Sequence, residues 1–363
     1  MAVIKGDLYG PNPDVLYGTA FDDQIYGYEG DDWINLSAGH DTIYGGPGTD
    51  TISALGLVYP ARGVGINLLQ HKGTSGAVKG DSYDSIENIL GSQYHDTLRG
   101  DNGNNVIAGD DGVDEIYGEG GDDILNGNWW LHDDGLADFL YGGDGNDTLD
   151  GGKGKDVLHG GDDDDILLGG AGADRMLGER GFDTVDYSAS SKFVRVDLLN
   201  GKGFHGDAGG DELKSIESVI GSNFADDLTG GKHAEVLSGI GGDDDIDGGR
   251  GADILYGGDG RDKIRGGGGA DHIDGGPGND RLTGDKGNDT FVYKPGYGED
   301  HIKDTKLGHD HIDLSAFHFA NAAAVQNLAS DVGKGVLIDF GFGDTLLIEH
   351  VDVGDLTIGF LIL

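Results

Sequence analysis

Along most of the chain one large aliphatic residue recurs every nine positions, flanked on each side by a residue that alternates away from it. Examples are Thr42-Ile-Tyr44, Thr148-Leu-Asp150 and Ile254-Leu-Tyr256. An alternation three residues long predicts very short strands, in which Ile34, Ile43, Ile52, Leu149, Leu158, Leu255, Ile264 and Ile273 point one way and their neighbours the other. The segment between successive strands reads Gly-Gly-x-Gly-x-Asp, as in Gly45-Gly-Pro-Gly-Thr-Asp50, Gly142-Gly-Asp-Gly-Asn-Asp147, Gly248-Gly-Arg-Gly-Ala-Asp253 and Gly275-Gly-Pro-Gly-Asn-Asp280. Such glycines predict tight turns with backbone angles that a side chain tolerates only at a cost. The unit is therefore a turn plus a short strand, present in about 21 tandem copies in the blocks 18–53, 91–126, 142–186 and 221–292.

Two turn-strand units make one coil, so residues eighteen apart stack. One apolar side chain per nine residues contributes roughly 1.5–3 kcal/mol on burial, whereas ordering nine backbones costs about 1–2 kcal/mol each. Such a stack needs a further source of stability.

Outside the blocks, 54–90 and 187–220 are related to each other. Gly80-Asp-Ser-Tyr-Asp-Ser-Ile-Glu-Asn-Ile-Leu-Gly-Ser92 matches Gly210-Asp-Glu-Leu-Lys-Ser-Ile-Glu-Ser-Val-Ile-Gly-Ser222, and each follows a strand-like alternation, Gly65–Leu68 and Val194–Leu198. They are expected to be wider coils joining the blocks. The last block runs into a segment richer in apolar residues, with a helical piece expected near 318–330 and strands at 336–340 and 344–350, which predicts a compact β cap. The division expected on these grounds is 1–90, 91–220, 221–292 and 293–363.

Composition changes this picture in one respect. The chain has 363 residues, 73 of them glycine, and 67 acidic against 24 basic residues give a formal net charge of -43. A polyanion without a basic patch is no partner for nucleic acid, and an anionic membrane surface is disfavoured for the same reason. No apolar run is long enough to span a bilayer, the first residues show no signal-peptide core, and the absence of cysteine excludes disulfides and thiolate metal sites. A Sec-type leader is accordingly not expected.

The acidic residues are placed by the repeat. The sixth position is held by Asp23, Asp32, Asp41, Asp50, Asp96, Asp114, Asp123, Asp147, Asp156, Asp165, Asp174, Asp183, Asp226, Asp244, Asp253, Asp262, Asp271, Asp280 and Asp289. Stacking at eighteen residues sets Asp23 over Asp41, Asp147 over Asp165 and Asp253 over Asp271. Strands lie about 4.8 Å apart, so each uncompensated pair costs roughly 1 kcal/mol in water and several when partly buried. A divalent oxygen-seeking ion reverses the sign of that cost. Calcium takes six to eight oxygens in flexible geometry and can use turn carbonyls beside the carboxylates, whereas magnesium prefers to keep its own water. Multiple Ca2+ ions are the expected cofactor, with these nineteen aspartates as ligands.

With these residues in hand, the chain resembles the RTX, or hemolysin-type calcium-binding, family over nearly its whole length. The resemblance implies an all-β fold, a right-handed parallel β-roll with calcium ions between successive turns, and export to the extracellular medium by a type I secretion exporter. The C-terminal segment is similar to the end of serralysin-type proteases and mannuronan epimerases, which implies a secretion signal within Asp355-Leu-Thr-Ile-Gly-Phe-Leu-Ile-Leu363. Three departures stand out. Asn105 and Glu235 hold the aspartate position, which weakens or removes the sites there. Three blocks open with an aromatic at the fourth position, Phe21, Tyr94 and Phe224, read as packing residues. Between 127 and 141 the register breaks around Trp129-Trp130.

No H-E-x-x-H, G-x-S-x-G or P-loop pattern is present. His301, His309, His311 and His318 cluster in the cap, but a zinc site needs a third ligand that the sequence does not identify, so surface or capping roles are expected. Trp129 and Trp130 are expected on a protrusion and are candidates for stacking on a sugar ring. The reading is a secreted calcium-binding protein with calcium-coupled folding and an extracellular structural or interaction role. A carbohydrate-active enzyme or its repeat module and a glycan-binding adhesin are the alternatives, and an extracellular polysaccharide is the candidate partner beyond calcium and the exporter.

Overall fold

The computed structural model describes residues 1–7, 12–57, 62–128 and 134–363. Trp129 and Trp130 lie outside the described residues. The chain forms two compact units, 1–185 and 186–363.

In the first unit the two turn-strand copies of each coil feed two different parallel sheets. One sheet runs through Val15–Tyr17, Trp33–Asn35, Thr51–Ser53, Asn88–Leu90, Val106–Ala108, Ile124–Asn126, Thr148–Asp150 and Ile166–Leu168, each strand beside the next. The other contains Gln24–Tyr26 and Thr42–Tyr44 near one end and Phe139–Asp144, Val157–Asp162 and Arg175–Arg180 at the other. Regular neighbours pair eighteen residues apart, as Ile25 with Ile43 and Leu140 with Leu158. The single aliphatic residue of each copy faces the interior; Ile25, Ile43, Leu140, Leu149 and Leu167 are fully buried. The fold is a parallel β-roll, and the core is a ladder of these residues one side chain deep.

The break near 127–141 leaves the register intact around it. Ile116 pairs with Leu140 and Leu125 with Leu149, twenty-four residues apart, so this coil takes six more residues than a regular one without shifting the register of the strands on either side. The wide coil at 54–90 differs from a regular turn because it inserts antiparallel strands. Gly65–Asn67 and Lys72–Ser75 pair antiparallel, Lys72–Ser75 meets Ser82–Asp84 likewise, and Ser82–Asp84 rejoins Thr42–Tyr44 in parallel. Val64, Ile66, Leu68, Val78 and Tyr83 are buried within it.

The second unit repeats the plan. Arg195–Asp197, Lys202–Phe204 and Glu212–Lys214 form the antiparallel insertion. Parallel strands Asp227–Thr229, Asp245–Arg250, Lys263–Gly268, Arg281–Lys286 and Glu299–Ile302 follow it on one sheet, and Ser218–Ile220 to His311–Asp313 build the other. A compact cap ends this unit. Its helix is only Ala322–Gln326, capped by the Asn321 side chain, and Ala329–Val332, Gly335–Gly341 and Asp344–Glu349 form an antiparallel meander. Phe317 stacks on Phe340 at 4.4 Å, with Tyr293 at 5.1 Å from Phe340, which closes the last coil with aromatic surface. Leu361–Ile362 pairs with Ile312 and Asp313, so the tail proposed to carry an export signal is also a strand of the second sheet.

One expectation needs revision. Phe21 and Phe224 are 71% and 45% exposed, so these block-opening aromatics do not pack inward. Those copies share instead a hydroxyl at the second position, which the copy at 36–44 also has, described below. In many copies the second position takes a left-handed backbone, and where glycine is replaced in such copies Tyr28, Glu119 and Ile240 still adopt φ of 82°, 81° and 75°. For the β-branched Ile240 this conformation is strained.

Candidate metal centre

The position-six aspartates are buried and linked in a directional chain. The backbone N–H of Asp23 donates to Oδ1 of Asp41 at 2.8 Å, and the same bond joins Asp32 to Asp50, Asp96 to Asp114, Asp147 to Asp165, Asp156 to Asp174 and Asp165 to Asp183. In the second unit it joins Asp226 to Asp244, Asp244 to Asp262, Asp253 to Asp271, Asp262 to Asp280 and Asp271 to Asp289, at 2.7 to 3.0 Å. Oδ1 is thus committed to the neighbouring coil.

Oδ2 is not. In Asp32, Asp50, Asp114, Asp123, Asp147, Asp165, Asp244, Asp253, Asp262, Asp271, Asp280 and Asp289 this oxygen is buried and accepts no hydrogen bond. A buried carboxylate oxygen without a partner costs several kcal/mol, and a run of them fits a bound cation. The space beside each is shaped accordingly. A Cβ added to Gly257 would lie 2.3 Å from Oδ2 of Asp262 and 2.4 Å from the carbonyl oxygen of Gly275 in the next coil. At Gly109 the same point is 2.2 Å from Oδ2 of Asp114 and 2.6 Å from the Gly127 carbonyl; at Gly142 it is 2.2 Å from Asp147 and 2.5 Å from Gly160. Orphaned carboxylate oxygen and carbonyl oxygen from successive coils converge where a side chain is forbidden. Hard oxygen donors of this kind fit calcium. Among the described residues no point gathers three His, Cys, Asp or Glu side chains, so a cluster of soft or all-carboxylate ligands is not what the turns build.

Electrostatics follow from this burial. Desolvation pushes Asp50, Asp96, Asp123, Asp244, Asp262 and Asp289 up to about 7, Asp165 and Asp300 to about 8 and Asp114 to about 9; backbone hydrogen bonds offset part of the rise, and for most of them neighbouring column carboxylates add to it. Asp23 goes the other way. Burial raises it, but hydrogen bonds from Thr19 and Ala2 outweigh that effect.

Not all nineteen residues are equivalent. Thr19, Ser37, Ser92 and Ser222 donate their hydroxyls to Asp23, Asp41, Asp96 and Asp226 at 2.7 to 3.0 Å. These carboxylates are satisfied within their own turns. Asn105 keeps its Oδ1 in the cradle, 2.1 Å from the Gly100 Cβ point, but its amide nitrogen donates to the Glu87 carbonyl at 2.8 Å. The oxygen facing this cradle is therefore a neutral amide oxygen that already accepts the Asp101 N–H at 2.8 Å, where most other coils present a carboxylate oxygen with no partner. Glu235 reaches the Gly230 cradle less closely, at 3.4 Å.

The column continues beyond the nonapeptide register. Asp41 donates to Oδ1 of Asp81, Asp50 to Oε2 of Glu87, Asp114 to Asp138, Asp280 to Asp300 and Asp289 to Asp310. All but Glu87 sit in an Asp-x-aliphatic or Asp-x-aromatic half-motif, for instance Asp300-His-Ile302 and Asp310-His-Ile312, and that shorter pattern identifies them in the sequence. A second ladder runs through position five. Oδ1 of Asp22, Asp31, Asp122, Asp164 and Asp243 accepts the N–H of the equivalent residue one coil on, as in His40 to Asp22 at 3.0 Å and Arg261 to Asp243 at 2.9 Å.

The cap histidines go to separate partners: His301 meets Glu349 at 2.9 Å, and His309 meets Asn288 at 3.0 Å.

Comparison with known proteins adds the following. The family model for the RTX calcium-binding nonapeptide repeat matches residues 10–43, 29–56, 85–129, 137–158, 150–185, 220–255, 238–273 and 256–291, more than half of the chain. No curated protein matches it. Among solved structures, the extracellular lipase LipA from Serratia marcescens is similar at 17% identity with a TM-score of 0.25, covering 67% of this chain and 45% of the lipase. The chain thus spans less than half the length of that structure.

Proposed function

The chain belongs to the family of RTX calcium-binding nonapeptide-repeat proteins, and on that premise we propose that it is a secreted protein whose β-roll folds on meeting extracellular calcium. The observation that carries the proposal is the pairing of an orphaned Asp Oδ2 with a carbonyl of the next coil in turn after turn. The nineteen column aspartates are proposed as ligands. Asp138, Asp300 and Asp310 extend the set. Bound calcium would supply positive charge and oxygen coordination between coils; the residues themselves hold the carboxylates apart, fix Oδ1 on the neighbouring backbone and keep Oδ2 free.

Low intracellular calcium would leave the columns charged, and their repulsion together with the glycine content favours an extended chain suited to a type I exporter. Outside, sites of the extracellular class, with dissociation constants of about 10⁻⁴–10⁻³ M, would fill together because each coil supplies part of its neighbour's donor set. The division into 1–90, 91–220, 221–292 and 293–363 is proposed as the set of stretches that order together. The role outside the cell is structural or one of interaction, with an extracellular polysaccharide as partner.

Export is tested by deletion. Removing residues after about 340 should leave the protein inside a cell that carries a type I exporter, and normal secretion of the truncated chain would contradict the export reading.

A further inference from the structure

A third of the 24 lysines and arginines fall between residues 250 and 303, in a chain of net charge -43. The fold brings several to one outer face of the second unit. Strands Asp245–Arg250, Lys263–Gly268 and Arg281–Lys286 are adjacent and parallel, with Arg250 opposite Gly268 and Gly268 opposite Lys286. The two cations therefore stand two strand spacings apart, about 10 Å. Between them lies bare backbone: a Cβ on Gly268 would meet nothing within 4 Å. The resulting slot belongs to a cleft of about 780 Å³ floored by Gly267, Gly268 and Gly269 and walled by Arg250, Arg265 and Lys286 together with Asp247 and Asp285.

The acids nearby are already engaged. Asp285 pairs with Arg265, Asp247 accepts the Gly249 N–H at 3.1 Å, and Asp304 accepts the N–H groups of Gly284 and Asp285 at 2.9 and 2.8 Å. Arg250 and Lys286 make no ion pair among the described residues, although the chain has 67 acids that could have supplied one. The corresponding row of the first unit is different: Gly120, Asp144, Asp162 and Arg180 lie in register, and Arg180 is bound to Asp162 at 2.9 Å. Two unpaired cations over an open glycine floor are arranged to receive an anionic group from outside.

We propose that this slot binds an anionic polysaccharide, with a carboxylate or sulfate group seated between Arg250 and Lys286 over Gly268. The inference rests on the extracellular role proposed above and names the chemistry of its partner.

The test uses the full calcium-loaded chain against immobilised polygalacturonate, which carries carboxylates only, dextran sulfate, which carries sulfates only, and neutral dextran. Binding to either anionic polymer, weakened by added salt, and at least tenfold weaker for Arg250→Glu/Lys286→Glu, is the expected result; which polymer binds identifies the anion. Arg250→Ala/Lys286→Ala serves in the same way should charge reversal disturb folding. Calcium itself can bridge carboxylates, so undiminished polygalacturonate binding by the variants would overturn the proposal in favour of bridging. Absence of binding to both polymers by a chain whose circular dichroism shows calcium-dependent folding overturns it as well and leaves the calcium reading standing.

Discussion

Replacing Gly257 by alanine adds one methyl group at the point where the Asp262 carboxylate and the Gly275 carbonyl converge. That carbon would sit 2.3 Å from Oδ2 of Asp262 and 2.4 Å from the Gly275 oxygen, more than 1 Å inside ordinary contact. The backbone angle at Gly257 is outside the left-handed region, so an alanine is not strained there by conformation. The change leaves every carboxylate in place and removes only the space between them. Overpacking alone costs about 1–3 kcal/mol. Loss of the ion adds to this: a site filled at a hundred times its dissociation constant stabilises the fold by about 2.7 kcal/mol, which disappears with the site. The expected total is roughly 4–6 kcal/mol in saturating calcium, accompanied by at least one fewer bound calcium per chain. Thermal unfolding in calcium and equilibrium dialysis measure the two quantities. Gly241→Ala is the control, since its Cβ would meet its nearest atom, the Asp259 carbonyl, at 3.5 Å, an ordinary contact. Unchanged calcium stoichiometry and stability in Gly257→Ala would refute the cradle as a metal site.

Other perturbations separate the contributions. Asn105→Asp exchanges the amide that donates to the Glu87 carbonyl for a charged ligand, and dialysis should find one more calcium per chain; an unchanged count would contradict the role given to the amide. Ile240→Gly removes a β-branched residue from φ of 75° and should raise the stability of the calcium-loaded form by about 1–2 kcal/mol in thermal unfolding, where no gain would remove the argument for strain. In chelator, acid should partly replace calcium. The carboxyls of Asp114, Asp165 and Asp300 are raised in the fold from 3.8 to about 9, 8 and 8, so the folded chain holds more protons than the unfolded one; its stability is fully present below about pH 4 and is lost as pH rises through 7 to 9. Each such group costs the ionised calcium-free roll roughly 6–7 kcal/mol, so β-structure in chelator should be greater at pH 5 than at pH 8.5, and calcium uptake near pH 7 should release protons. Equal circular dichroism at the two pH values would contradict these shifts.

The nonapeptide period made the column legible because every copy repeats both the aspartate and its distance to the aliphatic residue. Asp32 and Asp50, or Asp253 and Asp271, could be placed one above the other from spacing alone, and the backbone-to-carboxylate bonds follow that spacing. Legibility ended where insertions changed the period. Asp138, Asp300 and Asp310 lie twenty to twenty-four residues from their neighbours rather than eighteen, although each keeps the local pattern of aspartate two residues before an aliphatic side chain. The antiparallel insertions at 65–84 and 195–214 were hidden for another reason. Their strands are three or four residues long, and the direction of pairing depends on the turns at His71 and Gly201, both with positive φ, rather than on the hydrophobic alternation. The slot at Gly268 was invisible because its cations are eighteen residues to either side of a glycine and become neighbours only across two strands.

The claim that calcium organises the fold is tested most directly by far-ultraviolet circular dichroism of the whole chain at neutral pH, first in excess chelator and then through a calcium titration with chelator reversal. The account predicts little β-structure in chelator, a cooperative gain at about 10⁻⁴–10⁻³ M calcium, loss again on chelation, and no comparable gain with magnesium. Full β-structure in chelator, or equal recovery with magnesium, would contradict it.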